Sequence, residues 1–304
     1  MAEYRVRTDL ALEAKESVEE KNEQIRGVNV EEYYEPDSEI HITKVIVETK
    51  NGAKEIGKPM GTYITLEAPN MAEPDEGYHQ EISEELAKHM RTLLPDMKEE
   101  KSVLIVGLGN RDVTPDALGP NVVNNMMITR HIIREYGAAA YGSEKVNLIS
   151  SITPGVMAQT GMEASEIVKG IINETNPDLI IAIDALAARS TKRLNRTIQV
   201  TDTGIHPGSG VGNHRSAITE EVLGVPVIAI GVPLVVDAGT IVNDAIAAIL
   251  QEIAVLSGSS PEHVESLRGT MTELGNFYVT PKDIDETVKR LGFTISEALN
   301  MALA

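Results

Sequence analysis

From Ser102 to about Leu256 the apolar residues come in short, nearly unbroken runs separated by amphipathic stretches. SVLIVGLG, VNLISSI, DLIIAIDAL, RTIQVTD and PVIAIGVP read as strands of a sheet covered on both faces, because their β-branched residues do not alternate with polar ones. Between them GPNVVNNMMITRHIIREYG, MEASEIVKGIINETN and DAGTIVNDAIAAILQEIAVLS read as helices. Strand and helix in alternation predict an α/β fold with a largely parallel sheet. Upstream, to about Glu100, the pattern is mixed and charged. It predicts a helix over LALEAKESVEEKNEQ, strands in EIHITKVIVET and GTYITLE with a turn at Asn51-Gly52 between them, a loop over APNMAEPDEG, and a helix over HQEISEELAKHMRTLL. After Ser257 a polar helical tail is expected, broken at VTPKDID.

Composition narrows the function. With 27 Lys+Arg against 46 Asp+Glu the formal net charge is −19, which disfavours sequence-independent binding to phosphate backbones and docking on anionic membranes. No run approaches the roughly 20 apolar residues of a membrane span, and the charged N-terminus has no signal-peptide core. A cytoplasmic protein is the expectation. The absence of cysteine excludes disulfides, thiolate metal sites and a cysteine nucleophile.

In an open α/β sheet, ligands and catalytic groups gather at the carboxyl ends of the strands. GLGNRDVTPDALGP follows the first core strand and carries Asp112 and Asp116. IAIDALAAR places Asp184 at the end of a buried apolar strand, where an unpaired carboxylate is costly. TDTGIHPGSGVGNHRSAIT is a Gly-rich loop with His206, His214 and Arg215, whose backbone N–H groups suit a substrate carbonyl or carboxylate. G-x-G without a third glycine is a weak nucleotide signal, and a strand-end Asp also serves as a helix cap. Neither a G-x-S-x-G elbow nor an HExxH pair is present. What remains is a two-carboxylate site: sharing a pocket, Asp116 and Asp184 titrate apart, one activating water and the other protonating a leaving group.

VRTDLALEA, GTYITLE, GLGNRDVTPDALGP, PGVMAQTGMEASEIVKGI, DLIIAIDALAARS, TDTGIHPGSGVGN and VTPKDID resemble the germination proteases of spore-forming bacteria along essentially the whole chain. More distantly, GLGN-x(5)-D-x(2)-G followed by an apolar strand ending in Asp resembles the hydrogenase maturation endopeptidases. Those resemblances imply a three-layer α/β/α, phosphorylase/hydrolase-like core with a mostly parallel sheet and an added N-terminal α+β section. They also imply an endopeptidase of the spore core that begins degradation of small acid-soluble spore proteins, and a zymogen that removes its own propeptide and assembles as a homotetramer. Asp116 and Asp184 match the family's two essential aspartates. The hydrogenase-processing relatives contact nickel through carboxylates there plus a histidine; His206 is only a loose match for that third position, so no cofactor is carried over and a divalent metal stays open.

The family's substrates are cut after the first acid of a motif like Thr-Glu-(Phe/Ile)-Ala-x-Glu. Thr8-Asp9-Leu10-Ala11-Leu12-Glu13 imitates it, whereas Thr272-Glu273-Leu274-Gly275 matches only the first three positions. Self-cleavage is therefore expected between Asp9 and Leu10. That divides the chain into a propeptide, 1–9, and a peptidase domain, 10–304, with an α+β section over 10–100, the α/β core over 101–256 and a helical section over 257–304. Arg111, Arg189, His206 and Arg215 are candidates to bind the substrate's glutamates, since Arg grips carboxylates bidentately; ordinary surface ion pairs account for the arginines equally well. The rival from another class is a nucleotide- or metabolite-binding α/β protein without proteolysis.

Overall fold

The structure is a computed structural model that describes residues 8–19, 25–36, 38–97, 99–142, 145–212, 215–242, 244–246, 249 and 277–304. Residues 1–7 of the expected propeptide, His214, Thr272–Gly275 and the whole of the segment 251–276 expected to be helical lie outside the described residues.

One sheet runs through the whole molecule. In order across it stand β1 (Val28–Glu35), β2 (Ile40–Val47), β3 (Gly61–Glu67), β7 (Thr197–Thr201), β8 (Val227–Asp237), β6 (Leu179–Ala188), β4 (Ser102–Gly107) and β5 (Leu148–Ile152), with β9 (Tyr278–Val279) pairing β8. β8, β6, β4 and β5 are parallel, and β1, β2, β3 and β7 continue the sheet antiparallel. The N-terminal α+β section is thus an extension of the core sheet, welded on through β3 and β7. The sheet is mixed because the link from β6 to β7 carries only the short 3-10 turn Thr191–Arg193, not the longer crossover that a parallel neighbour requires.

Period-two alternation sorts the core strands onto two apolar layers. Val103, Ile105, Ile181, Ile183, Ile228 and Ile230 face α3 (Glu76–Leu93), α4 (Leu118–Asn125) and α8 (Ile284–Leu303). Leu104, Val106, Ile180 and Ala182 face α6 (Ala164–Thr175) and α7 (Glu220–Leu223). The result is the three-layer α/β/α arrangement.

Several local expectations differ. Asn51-Gly52 does not turn: the Thr49 hydroxyl accepts the Gly52 N–H at 3.1 Å and caps α2 (Lys50–Ile56). The helix expected over 119–137 breaks into α4 and α5 (Arg130–Tyr136). There the buried Thr129 hydroxyl accepts the Ile149 N–H at 2.8 Å and donates to the Asn147 carbonyl, tying the chain to β5. α8 is amphipathic rather than polar, burying Val288, Leu291, Ile295 and Leu299 against α3 and α4. β1 went unpredicted because VNVEEYYE alternates poorly, as befits an outer strand that leaves Tyr33 and Tyr34 exposed.

Candidate active site

The turn after β4 is fixed by backbone bonds. Leu108 N–H reaches the Ile183 carbonyl at 2.8 Å, and Asn110 N–H donates to the Asp116 carbonyl at 3.0 Å and to Asp116 Oδ2 at 2.9 Å. Gly109, at φ 108°, lets this happen: a Cβ there would stand 1.9 Å from the Asp116 carbonyl oxygen. Asp116 thus sits at the entrance to α4 with its carboxylate anchored by one N–H.

Asp184 does not end its strand, as the sequence reading had it. β6 continues to Ala188, pairing Asp184 with Gly231 of β8, and a bulge between Leu186 and Ala187 follows. Alternation puts Asp184 on the same face as Ile180 and Ala182, now at the sheet's carboxyl end. Its side chain is 5% exposed and accepts the Ala185 N–H at 3.0 Å.

Asp116 and Asp184 line one pocket of about 450 Å³, together with Arg215 and Asp9. Burial pushes the Asp184 carboxyl well above the ordinary carboxylate range, and the neighbouring charges of Asp116 and Asp9 push it further. Burial also raises Asp116, opposed by the Asn110 N–H and by the Arg215 guanidinium. The two carboxyls therefore differ in environment, and the deeper Asp184 holds its proton more strongly.

The N-terminal segment occupies this site. Asp9 N–H donates to the Ala187 carbonyl at 3.0 Å, while its own Oδ2 accepts the Ala187 N–H at 2.9 Å and Oδ1 accepts the Ser209 hydroxyl at 2.6 Å. Leu10 is fully buried among Leu186, Ala188, Leu194 and Val236, a contact that stabilises by about 1.5–3 kcal/mol. Ala11 N–H donates to Gln199 Oε1 at 2.7 Å where α1 (Ala11–Glu19) begins. The Glu13 carboxylate accepts the backbone N–H groups of Arg189 at 2.7 Å and Ser190 at 3.0 Å, is bonded by the Thr8 hydroxyl, and lies 3.5 Å from Arg193.

The candidate arginines fare unequally. Arg215 lines the aspartate pocket, whereas the exposed Arg111 reaches Thr153 at 3.3 Å, away from Asp9 and Glu13. Arg189 meets Glu13 through its main chain, and its guanidinium goes to Ser17 at 3.2 Å. The arginine that faces Glu13 is Arg193, which also pairs Glu16 at 2.7 Å and Glu67 at 2.9 Å. His206 is exposed and borders a smaller pocket beside Lys58, not the aspartate pocket. Sequence reasoning missed Lys58 and Arg193; both stand in short connections where no periodicity marks a side chain's direction. Among the described residues no three His, Asp or Glu side chains group closely enough to hold a metal ion.

A family profile described as germination protease matches residues 6–260. The chain belongs to the germination protease family. It is 45% identical to the germination protease of Caldanaerobacter subterraneus subsp. tengcongensis, over 98% of this chain and 94% of that protein. It is 41% identical to that of Clostridium perfringens, over 99% and 95%, and 40% identical to that of Bacillus mycoides, over 100% and 95%. Among solved structures, a [NiFe] hydrogenase maturation protease HycI from Thermococcus kodakarensis aligns over 69% of this chain and 98% of its own at 16% identity, with a TM-score of 0.33. Membership makes the chain a protease, and the metabolite-binding alternative gains no support from it. No helix among the described residues is long and apolar enough to cross a membrane.

Proposed function

We propose that the chain is the zymogen of an endopeptidase that cuts small acid-soluble spore proteins in the spore core, and that it matures by cutting its own Asp9–Leu10 bond. One observation carries this reading: Thr8 to Glu13, which imitates the substrate motif, is bonded to the end of β6 and the residues after it, with Asp9 in the lining of the Asp116–Asp184 pocket. The acid before the bond is held by Ala187 N–H and Ser209, the apolar residue after it is buried, and the second acid is held by two main-chain N–H groups.

The chemistry assigns the roles. Asp116, the more readily ionised of the pair, takes a proton from water as its oxygen bonds to the Asp9 carbonyl carbon. Asp184, held protonated by burial, gives its proton to the Leu10 nitrogen as the C–N bond breaks, leaving a carboxyl on Asp9 and an amine on Leu10. Proteins carrying the Thr-Glu-Ile-Ala-x-Glu motif would occupy the same seats once residues 1–9 have left. A homotetramer is part of the same proposal, and β1 with its exposed Tyr33 and Tyr34 offers apolar surface for it. Sedimentation as a monomer at micromolar concentration contradicts the assembly. The substrate claim is tested by incubating the processed chain with a peptide bearing that motif and with its Glu→Gln counterpart. Cleavage of the first after its first Glu, and much slower cleavage of the second, is expected; an intact first peptide contradicts the reading.

A further inference from the structure

Lys58 is placed without freedom. Gly57 ends α2 in the left-handed region at φ 68°, the Lys58 N–H returns to the Ala53 carbonyl at 3.2 Å, and Pro59 follows. Its Nζ donates to the Asp9 carbonyl at 2.7 Å and to the Thr8 carbonyl at 3.2 Å. Gln199 Nε2 approaches the same Asp9 oxygen at 3.4 Å from the sheet side. An ammonium that meets main-chain oxygens is unusual, because burying such a charge is costly and a carboxylate would offset more of that cost. Burial pulls the Lys58 pKa down, and the charges of Asp9 and Glu13 raise it in part; Tyr63, pushed up to about 12, and His206 border the same small pocket.

Resting on the proposed self-cleavage, we propose that Lys58, helped by Gln199, is the oxyanion-stabilising group of this peptidase: a catalytic residue that polarises the carbonyl of the bond to be cut. When water's oxygen bonds to the Asp9 carbonyl carbon, the carbonyl π electrons move onto the oxygen that Lys58 Nζ already touches. Charge develops there and is met by a positive donor in a pocket of about 70 Å³. When the C–N bond to Leu10 breaks, those electrons return to the carbonyl and Lys58 keeps its proton. The aspartates line the other pocket that Asp9 borders, so acid–base chemistry and charge stabilisation come from different elements. In substrate proteins the same donor would meet the carbonyl of the motif's first glutamate.

The chain has no cysteine, so Lys58→Cys introduces a unique thiol. The full chain is prepared unprocessed, and first-order loss of residues 1–9 is followed by intact mass. Lys58→Cys, and the same variant methylthiolated, are expected to process about 100- to 1000-fold more slowly than wild type. Aminoethylation rebuilds a lysine-like ammonium of the same reach and is expected to restore processing to within about tenfold of wild type. A residue that merely holds the fold would not be rescued by a charge while the methylthiolated control stays slow. A cysteine variant within about threefold of wild type, or an aminoethylated one as slow as the methylthiolated, overturns the proposal. If circular dichroism shows the cysteine variant unfolded, Lys58→Arg and Lys58→Met replace it. The charged variant is then expected to be at least about tenfold faster, and equal rates overturn the proposal. Should wild type never release residues 1–9, or Asp184→Asn still release them, the self-cleavage reading itself fails, a result distinct from any obtained at Lys58.

Discussion

Asp9 and Ala187 bond to one another twice: the Asp9 N–H reaches the Ala187 carbonyl at 3.0 Å, and the Ala187 N–H reaches Asp9 Oδ2 at 2.9 Å. The pairing adds the residue before the expected cut to the end of β6, beyond the bulge that follows Leu186. Main-chain bonds recognise extended backbone, while the side-chain oxygen in the second bond selects an acid at this position. Asp184 stands three residues upstream on the same strand, so one element both aligns the chain and carries a proposed catalytic carboxyl.

Asp116→Asn and Asp184→Asn are each expected to lower self-processing by about 10²- to 10⁴-fold while the far-UV dichroism stays that of wild type. Near-normal processing by either folded variant would remove that residue from the mechanism.

Gly210→Ala is expected to unseat the tail. The added carbon would lie 2.2 Å from Asp9 Oδ2 and 2.7 Å from the Ala187 Cβ. Because the closer displaced group belongs to the tail, processing should fall at least about tenfold, while the Ala187 contact on β6 adds a smaller loss of thermal stability. Unchanged processing would show that the Asp9 carboxylate need not sit there.

Glu13→Gln weakens a charged acceptor held by the Arg189 and Ser190 N–H groups. Hydrogen bonds to charged groups contribute about 1.5–3 kcal/mol, so processing is expected to slow by roughly 10- to 100-fold. Mass spectrometry of a time course reads it, and an unaltered rate would deny Glu13 a part in alignment.

Asp184 also predicts how stability varies with pH. In the unfolded chain it ionises near 3.8, whereas in the fold its proton is retained to higher pH. Folding stability is therefore lost as pH rises from the lower value through the higher one. Asparagine carries no such penalty, so the melting temperature of Asp184→Asn should exceed that of wild type by a margin that widens from about pH 4 to about pH 7. A constant margin would place Asp184 in an ordinary environment. By the same sign, wild-type processing should quicken as pH falls towards the raised value, because the acid form of Asp184 gains population.

The core strands were legible in the sequence because unbroken apolar runs such as LIIAI admit few alternatives, and Asp184 stood out as a carboxylate inside one of them. Asp116 was legible through its Gly-rich turn. The substrate-like tail was legible as a motif, but its seats were not. Glu13 is held by main-chain N–H groups that any residue supplies, and Lys58 reaches Asp9 across more than forty residues of chain. β7 ran antiparallel for a topological reason, and α2 replaced a turn because one threonine hydroxyl caps it. Such outcomes depend on contacts distant in sequence, and the hydrophobic pattern does not encode them.

Central to the account is one bond. Purified full-length chain and its Asp184→Asn variant are incubated side by side, and the products are weighed intact and sequenced from the N-terminus. Wild type is expected to lose Met1 to Asp9 and begin at Leu10, while Asp184→Asn keeps its starting mass. A processed wild-type chain beginning at any other residue, or an Asp184→Asn chain that begins at Leu10, would contradict the account.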